Sequence, residues 1–408
     1  MGQRIQGTED LYGGYMRSWE HMQDVARHLF GTYGFDRIET PALEQVDTFV
    51  HGIGESTDVV RKEMFRVFSG ALLDDLLAAG NESGLKPRQR MAMRPEGTAG
   101  VVRAAVEHNF VPQGGTPAKL WYAESMFRGE RPQKGRLRQF HQVGVEWLGA
   151  SDPAADAESI IMLIKFYEQM GFSPADMKLM INSMGDAECR PAYREKDCKN
   201  ESCHAVMKDA PLISDNLCDD CRAHYEQVKA YLDAAGISYV EDPTLVRGLD
   251  YYTRTVFEVE IPNAGVGAIG GGGRYDGLVE LEGGKPTPGV GFAVGFERIM
   301  LALEALGVAA EPAAPSCVYV ACAGAEQAPI VFDAVLALRE AGIRCEADRT
   351  GRSLKAQFKQ ADKMGATLCV VIGPDEVEAG AVTLRDMESH EQVQVPADQL
   401  VAEVKARQ

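Results

Sequence analysis

Apolar residues recur at a helical period from Tyr15 to Tyr33, through Trp19, Met22, Ala26, Leu29 and Phe30, and predict an amphipathic helix that Gly34 stops. FDRIETPALEQ then reads as a short strand broken at Pro41. Without an N–H, Pro41 belongs at a strand edge or end, or in a simple turn. From Val46 the pattern is a loop or short helix. Met64–Ser69 and Arg90–Arg94 are predicted strands on either side of a helical, partly polar stretch, Ala71–Lys86. Arg94-Pro95-Glu96-Gly97-Thr98 is a turn opening a helix whose apolar side is Val101, Val102, Ala105 and Val106.

Two further strands, Lys119–Met126 and Gln139–Trp147, flank a long loop, and Gln142 and Glu146 fall on one face of the second because side chains alternate. Asp152-Pro153 is an N-cap and first-turn proline for a helix with Ile160, Leu163, Ile164 and Tyr167 buried and Gly171 at its end. Met177–Asn182 is a strand. From Gly185 to about Asp242 the pattern turns polar, acidic and cysteine-bearing, with one clear helix near Tyr225–Ala235, as expected of an insertion. The core pattern resumes at LVRGLDYY. It continues through the strand Thr255–Ile261, a glycine-rich run ending GGGGRYDG, and a strand entering the helix Glu297–Leu306. A linker of small residues follows. From Cys317 strands and helices alternate (VYVAC, Ile330–Glu340, IRCEA, Ser353–Met364, TLCVVIG, two shorter strands and a final helix), which predicts a small mixed α/β domain. The divisions are 1–184, 185–242 for the insertion, 243–310, 311–316 for the linker, and 317–408.

At 408 residues the chain has room for two or three domains with their own cores, and 45% apolar with 25% charged residues is ordinary for a globular protein. There is no apolar run of membrane-spanning length, and MGQRIQGTED lacks the apolar core of a signal peptide. Cytoplasm is the expected compartment. The formal net charge is −18, which argues against non-specific coating of nucleic acid and leaves room for docking on local basic patches. One such patch is the hairpin loop: between Lys119 and Arg138 there are six Lys/Arg and two Glu. It is either a phosphate-binding loop beside the polar face of Gln142 and Glu146, or a solvated hairpin tip.

Three features carry alternatives. Glu96 at a helix start is either a cap favoured by the backbone dipole or a carboxylate that takes an ammonium. Gly265-Val266-Gly267-Ala268-Ile269-Gly270 matches the dinucleotide-binding fingerprint, but more glycines stand where a helix should open and no acid follows about 20 residues on, so that site is rejected. Of nine cysteines, Cys317, Cys322, Cys345 and Cys369 fall mostly in apolar strands and are expected in a core. Cys198, Cys203, Cys218 and Cys221 have near-ribbon spacing for a four-thiolate structural zinc site, with Cys189 and His204 as spare ligands, or are free thiols.

Taken jointly, RPEGT, FRGERPQKGRLRQFHQ, LVRGLDYYTRTVFE, GGGRYDGL and GVGFAVGFERIML resemble the motifs of class II aminoacyl-tRNA synthetases, in order over nearly the whole chain. LVRGLDYY and GGRYDGL are similar to signatures of the histidyl-tRNA synthetase family. The resemblance implies an α+β catalytic core on a six- or seven-stranded antiparallel sheet, dimeric through the segment around Pro41, and a C-terminal anticodon-binding domain. It implies that histidine and ATP, with Mg2+, give histidyl-adenylate and pyrophosphate, after which the histidyl group passes to the 3′ end of its cognate tRNA. Arg128 and Arg247 are the implied catalytic residues at the α-phosphate and reacting carboxylate, and Arg298 the γ-phosphate contact, because attack on phosphorus builds negative charge that fixed cations must meet. Glu130 and Arg136 are further expected ATP contacts. Glu96, Gly97, Thr98 and Gln142 are placed at the histidine ammonium end. Glu146 and Tyr252 are expected to read the imidazole, with Tyr251 and Tyr275 lining the pocket. Arg131, Lys134 and Arg138 are expected to meet the tRNA acceptor end, and Arg349, Arg352, Lys355 and Lys359 the anticodon stem-loop.

One departure is plain. Relatives with a cysteine-bearing insertion have a longer stretch between Tyr193 and Cys198, whereas CRPAYREKDCKNESC is abrupt. Two rival readings share the fold: a non-catalytic regulatory subunit of histidine biosynthesis, and an adenylating enzyme that charges a carrier protein. Arg247, Arg298 and the tail from Cys317 argue against the first, and the tail alone argues, less strongly, against the second.

Overall fold

The computed structural model describes residues 2–55, 57–80, 84–111, 115–189, 212–309, 312 and 315–407, and the chain divides into units 1–312 and 313–408. In the first unit the helix Gly13–Thr32 is followed by β1 (Asp36–Arg37) and β2 (Leu43–Gln45), which flank the exposed Pro41. The predicted strands at 64–69 and 90–94 shorten to β3 (Arg66–Val67) and β4 (Met91–Met93), which with β2 make a separate three-stranded sheet.

The hairpin strands are β5 (Ala118–Phe127) and β6 (Gln139–Leu148), in antiparallel register from Ala118 opposite Leu148 to Phe127 opposite Gln139. With β1, β7 (Lys178–Ser183), β8 (Val240–Glu241), β9 (Thr253–Glu260), β10 (Ala268–Arg274) and β11 (Gly289–Gly295) they form an eight-stranded sheet, in the order β1-β5-β6-β11-β10-β9-β7-β8. The expected antiparallel core is present, with two short strands added to it. Six consecutive strands are antiparallel, and a two-residue parallel strand is added at either edge, β1 on β5 and β8 on β7. Strands that short carry no readable alternation.

The glycine-rich run is itself a central strand. A methyl on Gly272 would strike the carbonyl of Gly291 on β11, and one on Gly271 the carbonyl of Phe257 on β9, so only glycine lets β10 lie between them. A strand after Ala268, where a dinucleotide site would open a helix, agrees with rejecting that site.

One face of this sheet is apolar. Val143, Val145, Phe257, Val259, Phe292 and Val294 pack under the helices Gly13–Thr32, Pro153–Gln169, Asp219–Ala234 and Phe296–Leu306. By alternation the opposite face carries Glu124 of β5, Gln142 and Glu146 of β6, and Glu258 of β9. The helix Thr98–Glu107 lies over that face, with Tyr251, Tyr252 and Tyr275 packed beside it. Burial of one face therefore fixes which side chains the other presents.

In the second unit β12 (Cys317–Cys322), β13 (Cys345–Ala347), β14 (Ala366–Ile372), β15 (Ala381–Asp386) and β16 (Gln392–Pro396) form a five-stranded sheet in the order β13-β12-β14-β15-β16. Cys317, Cys345 and Cys369 are buried in it as expected, while Cys322 is half-buried. The short helix Pro374–Glu378 had no counterpart in the predicted elements. Among the described residues no helix is long and apolar enough to cross a membrane.

Candidate active site

The first residues after β4 build one wall. Glu96 Oε2 accepts from the backbone N–H of Thr98 (2.7 Å) and Oε1 from that of Ala99 (2.9 Å), so the capping role is realised at the start of the helix. Burial raises the Glu96 carboxyl above its ordinary range, and those two N–H groups work in the other direction. Thr98 Oγ1 donates to Glu146 Oε1 at 2.7 Å, and the Tyr275 hydroxyl donates to Glu146 Oε2. Glu146 is 1% exposed, and burial pushes its carboxyl up to about 8. Two glycines make this arrangement possible: a methyl on Gly291 would collide with the Glu146 carboxylate, and one on Gly97 with the ring of Tyr122.

Tyrosines connect this pocket to a second compartment. The Tyr275 ring stands 5.7 Å from that of Tyr251, which is 4.6 Å from that of Tyr252, and the Arg247 guanidinium lies 5.7 Å over the Tyr252 ring. The hydroxyl bonded to Glu146 is that of Tyr275, while the Tyr252 ring faces the Arg247 guanidinium.

The second compartment is a cleft of about 200 Å³ lined by Arg128, Glu130, Arg136, Gln142, Arg247 and Arg298, with Glu258 and Glu297 at its wall. Four guanidinium groups of one surface converge here, each on a different element. Arg128 ends β5 and donates from Nε to the carbonyl of Pro95 (2.9 Å). Arg136 on the loop pairs with Glu130 at 3.1 Å. Arg247 pairs with Glu258 at 2.5 Å, and its buried Nε is unpartnered. Arg298 donates from Nε to the carbonyl of Gly135 (3.1 Å) and from Nη1 to that of Ala268 (2.7 Å). Burial and the neighbouring Arg136 hold the Arg298 guanidinium below its ordinary value. Gln142 Oε1 is likewise buried and unpartnered. Clustered cations and orphaned polar atoms in one cavity fit a polyanionic ligand with an ammonium at its inner end.

Residues that sequence reasoning missed hold this cleft in shape. His141 on β6 faces Glu297: Nδ1 lies 2.8 Å from Oε1, and the His141 N–H donates to both carboxylate oxygens at 3.0 and 3.1 Å. Arg94 forms a buried ion pair with Glu124 (2.5 Å), and Glu124 also accepts from the Thr40 N–H (2.6 Å). The N-terminal segment straps the loop, for the Gly7 carbonyl accepts from Arg138 N–H at 2.7 Å. These pairs join residues far apart in the chain, and no local pattern announces them.

Of the expected tRNA contacts, Arg131 and Lys134 are exposed on the loop, while Arg138 is half-buried and donates to the carbonyls of Glu130 (3.5 Å) and Gln6 (3.4 Å). Arg349, Arg352, Lys355 and Lys359 are exposed on the second unit. Of the proposed zinc ligands, Cys198 and Cys203, with the spare His204, lie outside the described residues. Among the described residues Cys218 and Cys221 stand with Asp186 and Cys189.

The profile described as Anticodon binding domain matches residues 317–407, and the profile described as Histidyl-tRNA synthetase matches 85–207 and 199–299, two pieces that overlap on the stretch noted above as abrupt. An arginine-lined cleft on an antiparallel sheet, followed by an anticodon-binding domain, defines an aminoacyl-tRNA synthetase. A curated relative named Histidine–tRNA ligase, from Anaeromyxobacter dehalogenans, is 43% identical over 429 aligned positions covering 98% of each chain. The crystal structure of apo histidyl-tRNA synthetase from S. aureus superposes with a TM-score of 0.82 at 34% identity, covering 99% of this chain and 100% of that one. The chain belongs to the histidyl-tRNA synthetase family. A structure described as an ATP phosphoribosyltransferase regulatory subunit/histidyl-tRNA synthetase from Bacillus halodurans shares 20% identity at a TM-score of 0.67, over 91% of this chain and 98% of that one, a likeness of fold alone.

Proposed function

We propose that the chain activates L-histidine with ATP to histidyl-adenylate and transfers the histidyl group to the 3′ end of its cognate tRNA. The observation that carries this reading is the adjoining of two compartments along one face of β6. Gln142 lies in the arginine-lined cleft and Glu146, four residues on, lies in the tyrosine pocket.

In this reading histidine lies with its imidazole at Glu146, Tyr275 and Tyr252 and its ammonium toward Glu96 and Gln142, with Gly97, Thr98 and Tyr251 shaping the enclosure. Its carboxylate then points into the cleft. A carboxylate oxygen attacks the α-phosphorus, the new C–O–P bond forms, and the bond to pyrophosphate breaks. Arg128 and Arg247 neutralise the charge that builds on the α-phosphate, and Arg298, with Arg136 and Glu130, holds the remainder of the nucleotide. The rigid fork of a guanidinium keeps both oxygens in place where a lysine would hold only one point. The carboxylates of Glu130 and Glu258 have the oxygen chemistry that Mg2+ accepts, and the ion would offset triphosphate charge. A buried carboxyl and phenol that require a ring nitrogen are left unpaired by leucine or phenylalanine. Rejection by about 10⁴–10⁵ is then attainable by binding alone.

The basic loop residues Arg131, Lys134 and Arg138 serve the acceptor end of the tRNA, and Arg349, Arg352, Lys355 and Lys359 the anticodon stem-loop. The division into core, insertion at 185–242, linker and anticodon-binding domain belongs to the same reading. So does a cytoplasmic homodimer joined around Pro41, which light scattering of the purified chain would overturn by returning a monomer mass.

The deciding experiment is histidine-dependent ATP–pyrophosphate exchange without tRNA, on the wild type and on Arg247→Ala. Exchange with histidine alone, lost in the variant, supports adenylation and the part given to Arg247. No exchange from folded, magnesium-supplied protein sinks the reading.

A further inference from the structure

The root of the insertion gathers four metal-ligating side chains that lie apart from the active site. Asp186 and Cys189 belong to the turn that leaves β7. Cys218 caps the helix Asp219–Ala234, and Cys221 sits in its first turn. One ligand atom from each of the four lies within 4.8 Å of all the others. Around a single tetrahedral zinc with Zn–S near 2.3 Å, neighbouring sulfurs stand about 3.8 Å apart, so the four groups are a small adjustment from closing on one ion.

The local structure is shaped to make that approach. Gly185 adopts φ +59°, and a Cβ there would strike both Cβ and Sγ of Cys189, so the turn folds the thiol back only because residue 185 has no side chain. Asp186 Oδ1 accepts from the N–H groups of Glu188 (3.0 Å) and Cys189 (3.3 Å), which pins the turn. Its other oxygen, Oδ2, faces the thiols, 3.2 Å from Cys221 Sγ and 3.8 Å from Cys218 Sγ. Cys189 Sγ accepts from the Cys218 N–H at 3.2 Å, an early form of the contact a metal-bound thiolate makes with backbone. Ile213 and Leu217 wall the group on its apolar side, and Cys189 and Cys221 are fully enclosed.

We propose that Asp186, Cys189, Cys218 and Cys221 form a structural site for one zinc ion, which clamps the base of the insertion to the catalytic sheet. Three thiolates and a carboxylate fill a tetrahedral shell and leave no position open for a reacting water, so the site is structural. Ligand atoms this close suit one ion and not a multi-iron cluster. The clamp joins the end of β7 to a helix whose Tyr225, Val228 and Leu232 pack in the core under the sheet, and whose His224 lies 3.4 Å from Asp156. It also closes the loop between Cys189 and Cys218, the kind of cross-link that restricts the unfolded chain most when the loop is long. The inference stands apart from the reading of the active site, because metal content is measured without turnover.

The test uses the full chain, purified without chelator. Elemental analysis is expected to give one zinc per chain. Cobalt exchanged into the site is expected to show intense tetrahedral d–d bands and thiolate-to-metal absorption. Cys189→Ser and Cys221→Ser are expected to weaken zinc affinity by more than about 100-fold in a chelator competition. Asp186→Asn should shift the cobalt d–d bands, and the double variant Cys198→Ser/Cys203→Ser should keep both the metal and the spectrum. If Cys189→Ser keeps the metal while the double variant loses it, the four-cysteine set is the true one and the proposal falls. It falls equally if the wild type takes up no zinc on titration, or if thiol counting under denaturing, non-reducing conditions finds a disulfide among Cys189, Cys218 and Cys221. Should the serine variants fail to fold, the wild-type stoichiometry and the Asp186→Asn spectrum decide the matter by themselves.

Discussion

Thr98 Oγ1 donates to Glu146 Oε1 across 2.7 Å, so the first residue of the helix Thr98–Glu107 is fastened to the middle of β6. With Tyr275 on the other carboxylate oxygen, both oxygens of Glu146 are met by hydroxyl donors while the surroundings exclude water. A carboxyl so enclosed keeps its proton to unusually high pH, and that has a measurable consequence for stability.

Burial lifts Glu146 to about 8 from the ordinary 4.5. A raised carboxyl contributes its full stability below the unfolded value and loses it as pH climbs from about 4.5 through about 8, because the unfolded chain releases a proton that the fold retains. Glu146→Gln is neutral throughout. Its folding stability relative to wild type should therefore rise between about pH 5 and pH 8, by on the order of a few kcal/mol, and level off above that, with the melting temperature following. Groups outside this pocket titrate alike in both proteins, so the difference reports Glu146 together with its neighbour Glu96. A flat difference in thermal melts across that range would overturn the assignment. The same variant should lose histidine-dependent exchange, since the amide cannot trade a proton with the imidazole.

Arg247→Lys tests geometry against charge. Lysine can still pair with Glu258, so the Arg247–Glu258 contact is replaced and not simply abolished. What is lost is the second arm of the fork. Pyrophosphate exchange should fall about 10²–10³-fold in kcat, the usual cost of one misplaced charge-stabilising donor, while KM for histidine changes only a few-fold. Equal losses in kcat and in histidine affinity would assign Arg247 to substrate binding.

Glu297 precedes Arg298 and holds both the backbone N–H and the ring of His141. It stands at the wall of the cleft, and its bonds to His141 fix the helix Phe296–Leu306 against β6. Glu297→Gln keeps the shape and weakens the hold by about 1–2 kcal/mol, which is roughly tenfold in KM for ATP. Saturating kcat should stay near wild type. Steady-state exchange at varied ATP separates the two quantities, and a loss confined to kcat would contradict a positioning role.

Much of this site was legible in the chain because its motifs are local. Arg128, Arg136 and the polar pair Gln142 and Glu146 sit on a hairpin whose strands alternate cleanly, and RPEGT announces a helix start by composition alone. The strand β10 was hidden for a physical reason: Gly270 to Gly273 have no side chains, so a period of two cannot be written there. The His141–Glu297 pair spans 156 residues and has no local signature. Asp186 escaped notice because its approach to Cys221 depends on the left-handed turn at Gly185, and sequence spacing among cysteines pointed to Cys198 and Cys203 instead. Which tyrosine bonds Glu146 could not be read from the chain. Tyr251, Tyr252 and Tyr275 are chemically equivalent in sequence, and only the path of the chain decides which hydroxyl reaches the carboxyl.

Arg94 and Glu124 offer the sharpest test of stability. Their ion pair is almost fully enclosed, with the two side chains 9% and 2% exposed, and it fastens the RPEGT turn to β5 while Thr40 supplies a further N–H to the same carboxylate. Removing one partner leaves the other charge buried with hydrogen bonds but no counter-charge. Glu124→Ala should therefore cost about 3–5 kcal/mol of folding stability, far more than loss of an exposed pair. Replacing both partners, as Arg94→Met with Glu124→Leu, removes the stranded charge and should recover part of that loss. It would still leave Thr40 N–H unsatisfied and the turn less firmly held. Denaturant melts of the two single variants and the double form a thermodynamic cycle. Single losses that add to the double loss would show that the pair contributes no coupling, and that the turn is held by packing around Val101, Tyr122 and Met126 instead.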